Sequence, residues 1–244
     1  MTRSTAILLA AVVCGSQAAQ AQTEQVAPVS AESETPERLI VHGRSLELIG
    51  EAAAASEGVV GYADFEDRPL SRVGELVEVI PGVIATQHSG EGKANQYFLR
   101  GFNLDHGTDF SVSLDGAPIN LRTHGHGQGY LDLNFIIPEL VERVDYRKGP
   151  YRASTGDFSA AGSARYSTYD ALESDFFEVA AGEFGYLRGV AAADFEIAPS
   201  SNVLLAFEGE IYDGPWDLDQ DLEKLNALAK LVHEAGPWRF ELTG

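Results

Sequence analysis

The chain has 244 residues, with 37 acidic against 17 basic side chains and a formal net charge of −20. Phosphate recognition is built on clustered Lys and Arg, so this balance excludes a nucleic-acid partner and fits a solvated, acidic surface. Cys14 is the one cysteine, so without disulfides the fold must rest on a packed core or a closed sheet.

Arg3, the apolar stretch Ala6 to Val13 and the small-x-small triplet Ala19-Gln20-Ala21 predict a secretory signal peptide over residues 1–21, with the mature chain starting at Gln22. Cys14 falls inside it, and Val12-Val13 departs from a lipobox, so no lipid anchor is expected there. No later stretch reaches the roughly 18 apolar residues of a transmembrane helix, which leaves a β-barrel as the only way to span a membrane. Residues 22–36 are polar, acidic and Pro-containing, too poor in apolar groups to pack. Glu37-Arg38-Leu39-Ile40-Val41 is then a short β-branched run, followed by an Ala- and Gly-rich stretch over 51–61.

From Ser71 the apolar positions Val73, Leu76, Val77 and Ile80 follow i, i+3, i+4, i+7, which predicts an amphipathic helix capped by Ser71 and ended by Pro81-Gly82. Tyr97 to Arg100 reads as a strand. Phe110 to Leu114 and Ala117 to Leu121 flank Asp115-Gly116, the strongest two-residue hairpin signal, and Pro118 puts the second strand at an edge or ends it early. Ile137-Pro138-Glu139 opens another helical turn with proline at its first position, before a strand over Val144 to Arg147.

After residue 172 the period becomes two. Leu187, Gly189, Ala191, Ala193, Phe195 and Ile197 fall on one face, opposite Arg188, Asp194 and Glu196. Val203, Leu205, Phe207 and Ile211 likewise alternate with Glu208, Glu210 and Tyr212. Such rows suit lipid on one side and a lumen on the other, and the short turn at Ala198-Pro199-Ser200-Ser201 with the longer loop from Asp213 to Asp219 matches the asymmetry of a membrane barrel. Leu222 to His233 satisfies helical spacing as well as a strand, and Trp238, Phe240 and Leu242 alternate after Gly236-Pro237.

Four segments in order resemble the plug of a TonB-dependent outer-membrane receptor: Leu70 to Val83, Phe98-Leu99-Arg100-Gly101-Phe102, Leu114-Asp115-Gly116-Ala117-Pro118, and Glu142 to Pro150. Residues 156–168 depart from the family's usual glycine-rich closing motif. The resemblance implies an α+β plug domain followed by the start of a transmembrane antiparallel β-barrel of about 22 strands, so the chain reads as an N-terminal part of a longer receptor. The expected division is signal peptide 1–21, disordered tail with a TonB box 22–44, plug 45–171, and the first barrel strands 172–244. The resemblance also makes Leu222 to His233 a strand. Under it, Glu37, Arg38, Leu39, Ile40 and Val41 are a TonB box that pairs with TonB by strand addition, the other reading being a first plug strand.

The conspicuous polar cluster is Arg122, His124, His126, Gln128 and Tyr130, interspersed with three glycines. By resemblance it is a plug loop facing the binding cavity, with Asp105, His106 and His88 rising beside it as further substrate-binding candidates. His124, His126 and His106 could also hold Zn²⁺, Cu²⁺ or Ni²⁺. The alternatives are polar contact with another solute, or packing through hydrogen bonds alone. A His-x-His hydrolase site would need further histidines and an acid on later strands, and only His233 follows, so the chain is not expected to be an enzyme.

The family implies import of a scarce solute (a siderophore, metal chelate or other large nutrient) across the Gram-negative outer membrane, with TonB-ExbB-ExbD and outer-membrane lipid as partners and no cofactor. The competing class is a periplasmic plug-like module that binds a ligand without transport.

Overall fold

The computed structural model describes residues 54–244 apart from 69, 71–72 and 88–89. The signal peptide, the acidic tail, the run Glu37–Val41, the Ser71 cap and His88 lie outside the described residues.

β1 (Glu57–Gly61) leads into a 3₁₀ turn at Tyr62–Asp64, where the Asp64 carboxylate accepts the Gly61 amide at 2.8 Å. A second 3₁₀ segment spans Val73–Val79, followed by β2 (Val83–Thr86), β3 (Gln96–Leu99) and β4 (Phe102–Asn103). These three strands form one small antiparallel sheet. Next come β5 (Phe110–Leu114), β6 (Ala117–Pro118), a 3₁₀ turn at Pro138–Leu140, β7 (Val141–Lys148) and β8 (Gly162–Thr168). With β1 they form a five-stranded sheet ordered β1-β7-β8-β5-β6, in which only β5 and β8 run parallel.

The helix expected after Ser71 is a 3₁₀ segment instead. It ends with Ile80 N–H bonded to Val77 O at 3.1 Å, and the turn beyond it closes with Val83 N–H to Ile80 O at 3.0 Å. Gly74, Val77 and Val79 are poor α-helix formers, and the tighter winding still buries Leu76, Val77, Val79 and Ile80. Three residues per turn put Leu76 above Val79 and Val77 above Ile80. Gly74 is required there for space, because a Cβ would lie 2.4 Å from the Asn95 side chain.

The Asp115-Gly116 hairpin forms as expected, with φ of +46° and +81° at its two central residues, the left-handed pair a tight hairpin turn demands. Its second strand stops at Pro118 and lies at the sheet edge, shorter than the Ala117 to Leu121 span expected. Proline has no N–H to continue the ladder, and the chain leaves the sheet to form the loop described below.

Beyond Thr168 the chain builds a second five-stranded sheet, an antiparallel meander of β9 (Phe176–Ala181), β10 (Leu187–Ala198), β11 (Ser201–Tyr212), β12 (Leu222–Ala235) and β13 (Trp238–Thr243). The ambiguous Leu222 segment is thus a strand. Register pairs Ala191 with Phe207, Ala193 with Leu205 and Phe195 with Val203, so the apolar rows of neighbouring strands coincide. The outer face is exposed and apolar, including Phe177, Phe207, Phe240 and Trp238. On the inner face Val190, Ala192, Leu204 and Ala206 are buried in the same core as Tyr97, Phe110, Leu131 and Tyr166 of the first domain. One face of this wall therefore packs on the first domain and the other is left apolar.

Candidate functional site

Two groups of polar residues stand out, a loop at one end of the first domain and a seam between that domain and the wall. The loop begins after Asn120, which is buried and ties together four backbone groups, its two amide protons shared among three carbonyls. Its Oδ1 accepts from Val112 N at 2.7 Å, and its Nδ2 lies 3.1, 3.0 and 2.9 Å from the carbonyls of Gly107, Phe110 and Gly129. The neck is closed where Leu121 N–H donates to Tyr130 O at 2.9 Å and Gly129 N–H to Leu121 O at 2.8 Å. Gly129 sits at φ +83° with the Phe158 ring 2.6 Å from where its Cβ would be, so a side chain there would force the neck open.

Between these anchors Arg122, His124, His126 and Gln128 are exposed. His124 stacks on Tyr130 with ring centroids 3.9 Å apart, and His126 meets His106 edge-on at 4.3 Å. His124, His126, His106 and Tyr130 are thus brought together as an aromatic cluster. Arg122 reaches out to Asp157 at 2.7 Å, an exposed pair. Asp105 is more than half exposed, with its carboxylate 3.8 Å from the His106 ring.

The imidazoles are not equivalent. His106 is buried, and its Nδ1 lies 2.9 Å from Ala94 O and 3.1 Å from Asn95 O. Carbonyls only accept, so Nδ1 carries the proton and His106 acts as a structural donor. His124 Nδ1 accepts the His126 N–H at 3.2 Å, which places the proton of a neutral His124 on Nε2. A neutral imidazole bound to a metal through Nε2 would carry its proton on Nδ1, against the His126 amide. Among the described residues no group of three or more His, Cys, Asp or Glu is arranged to hold a metal ion. The loop as built presents hydrogen-bond donors.

The seam was not singled out in the sequence. Glu208 on β11 is fully buried and accepts from Arg188 Nε at 2.7 Å, Lys224 Nζ at 3.1 Å and Asn226 Nδ2 at 2.7 Å. Arg188 then grips Glu139 of the first domain with both terminal nitrogens, at 2.6 and 2.9 Å. Farther along, Lys230 on β12 is buried and donates to Thr168 O at 3.0 Å, beside Asp170 at 3.0 Å and Asp115 at 3.5 Å. The Asp115 carboxylate, in the hairpin turn, also accepts the Thr168 amide and hydroxyl at 2.9 and 2.6 Å. The sequence signal available was the charged inward row of β10 to β12; what it could not give was the partner on the other side.

Tyr97 and Tyr166 lie in the core of the first domain, and burial pushes both phenols far above the ordinary tyrosine value, with the neighbouring Tyr166 adding to the effect on Tyr97.

Residues 51–163 match the family described as the TonB-dependent Receptor Plug Domain. Among solved structures, the siderophore receptor PirA of Pseudomonas aeruginosa is similar over 79% of this chain and 35% of its own, at 18% identity and a TM-score of 0.54. FpvA of the same species, bound to pyoverdine, matches over 77% of this chain and 26% of its own, at 16% identity and a TM-score of 0.56. The siderophore receptor PiuA of Acinetobacter baumannii matches over 77% and 25%, at 20% identity and a TM-score of 0.54. The chain thus spans about a third or less of the length of these receptors. At such identities the likeness establishes the fold: a plug domain joined to consecutive strands of a barrel wall.

Proposed function

We propose that this chain, which carries a TonB-dependent receptor plug domain and belongs with such receptors in the Gram-negative outer membrane, forms the gate and first wall strands of a nutrient importer. The single observation that carries this reading is the wall's two-sidedness. Phe177, Phe207 and Phe240 project outward while Arg188 and Lys230 grip the plug. A soluble ligand-binding module would have no use for an exposed apolar sheet face, whereas the hydrocarbon layer demands one.

In this mechanism the solute binds the exposed donors of the loop around His124 and His126. TonB, energised through ExbB-ExbD, engages the segment Glu37–Val41 by strand addition, and the plug shifts against the ion pairs of the seam. The protein supplies binding and gating, and no covalent bond of the solute is broken. The donor set of Arg122, His124 Nε2–H and Gln128 favours a ligand rich in oxygen acceptors. The domain division at about residue 171 remains part of the same proposal.

The test is growth and uptake by a strain whose receptor gene is deleted and then restored with wild type, with His124→Ala plus His126→Ala, or with Ile40→Pro. The double variant should lose surface binding and uptake at normal outer-membrane abundance, and Ile40→Pro should lose uptake while keeping binding. Unchanged uptake in both variants would overturn the reading.

A further inference from the structure

The loop and the seam are joined by a series of hydrogen bonds linked through the Lys93–Ala94 peptide and through Asn134. Tyr130 Oη accepts the Ala94 amide at 2.8 Å, and the neighbouring Lys93 carbonyl accepts Asn134 Nδ2 at 3.2 Å. The Asn134 carbonyl in turn accepts Asn226 Nδ2 at 2.8 Å, and the same amide nitrogen donates to Glu208 Oε2 at 2.7 Å. Glu208 holds Arg188, and Arg188 holds Glu139 in the middle of the turn that leads into β7. In this series Asn226 is the crossing point between plug and wall. It spends its two amide protons on one acceptor from each side, which no carboxylate, hydroxyl or apolar residue could do.

We propose that Asn226 is a positioning residue that couples the apical loops of the plug to the Glu139–Arg188 pair, so that displacement of residues 93–95 by a bound solute loosens the plug's grip on the wall. The physical basis is competition for buried partners. When Asn134 withdraws its carbonyl, the Asn226 amide re-orients, and Glu208, a buried carboxylate with three donors, loses one of them. Arg188 is then drawn toward Glu208 and away from Glu139. The two arrangements of Arg188, shared or unshared with Glu139, are the discrete states such coupling requires.

The functional meaning rests on the import reading above, whereas the coupling itself belongs to the chain and can be measured without a solute. The experiment is hydrogen–deuterium exchange of the amides of residues 137–148 in the full-length receptor in bilayers, with Tyr130→Phe as the perturbation, because it removes only the acceptor of the Ala94 amide. In the wild-type background Tyr130→Phe should speed exchange of this segment about fivefold, the equivalent of one lost hydrogen bond. In an Asn226→Leu background the segment should exchange faster at the outset, and Tyr130→Phe should add no further change. Asn134→Ala, which breaks the series one step earlier and leaves the wall untouched, should erase the Tyr130→Phe effect equally, so the question stays decidable if Asn226→Leu assembles poorly. A merely structural Asn226 would raise the baseline and leave the fivefold response in place. That result, or no response in the wild-type background, overturns the proposal. Loss of import with the coupling intact would count against the import reading alone.

Discussion

Phe110 and Tyr97 in the plug are wholly enclosed, whereas Phe177, Phe207 and Phe240, of similar chemistry, stand on the outside of the wall. A ring of this size left in water forgoes about 1.5–3 kcal/mol of burial, so a row of them along one face is tolerable only if that face meets something other than water. The charges are reversed as well: Glu208 and Lys230 are buried on the wall's inner side, while the loop on the plug that bears His124 and His126 is exposed. The plug obeys the rule of a protein in water; on the importer reading the wall obeys the rule of lipid outside and polar contacts within. Their common boundary is held by two ion-pair groups around Glu208 and Lys230 and by a shared apolar core.

The strongest way to break this comparison is to leave a buried charge unpaired at the boundary. Arg188→Ala takes the guanidinium from between Glu139 and Glu208, leaving the Glu139 carboxylate without its cation, and should cost about 3–5 kcal/mol. Chemical denaturation of the full-length receptor in micelles, together with protease sensitivity of the plug, reads the loss. An arginine on the outer face comes next, with Phe207→Arg expected to cost about 2–4 kcal/mol if that position sits near the bilayer midplane. Outer-membrane abundance should fall sharply for Phe207→Arg and hardly at all for a substitution in the exposed loop, such as Gln128→Arg; equal abundance would mean that Phe207 does not face lipid.

Within the plug, Asn120→Ala leaves the Val112 amide without its side-chain acceptor and takes the donor from the Phe110 and Gly129 carbonyls, and should cost about 1–3 kcal/mol. Because those bonds hold the neck of the loop, exchange of residues 121–130 should rise before global unfolding does. A smaller effect is expected from alkali. The folded-state phenols of Tyr97 and Tyr166 are raised, so in the unfolded chain the proton leaves first. Stability is therefore full below the ordinary tyrosine value of 10.0 and falls as pH rises past it. Tyr166→Phe should shrink that loss without weakening the plug at pH 7, since the Tyr166 hydroxyl is buried without a hydrogen-bond partner. A plug melting curve equally sensitive to alkali in both proteins would contradict this account.

The legible parts of the fold were those written in local chemistry. Asp115-Gly116 predicted its hairpin, Pro118 predicted the shortened edge strand, and the alternation of Leu187 to Ile211 predicted strands with one apolar face. The helix after Ser71 was misjudged in kind because i, i+3 and i+4 spacing serves 3₁₀ and α winding alike. The place of Gly74 against the Asn95 side chain, about twenty residues away in sequence, was not legible either. The His-bearing loop was legible as a cluster, yet the difference between buried His106 and exposed His124 depends on the carbonyls of Ala94 and Asn95, which no spacing announces. Asn120, Asn134 and Asn226 were invisible for the same reason: an asparagine becomes informative only when its partners are known.

The central claim is that β11 has lipid on one side and the plug on the other. Single nitroxide-labelled cysteines from Val203 to Glu210, introduced into the full-length receptor in bilayers, test it by comparing collision with oxygen, which concentrates in lipid, and with a polar nickel chelate. The account predicts an alternation of period two, with labels at Val203, Leu205 and Phe207 exposed to oxygen and labels at Leu204, Ala206 and Glu208 shielded from both reagents. A profile without that alternation, or one in which the nickel chelate reaches Leu205 and Phe207 freely, would contradict it.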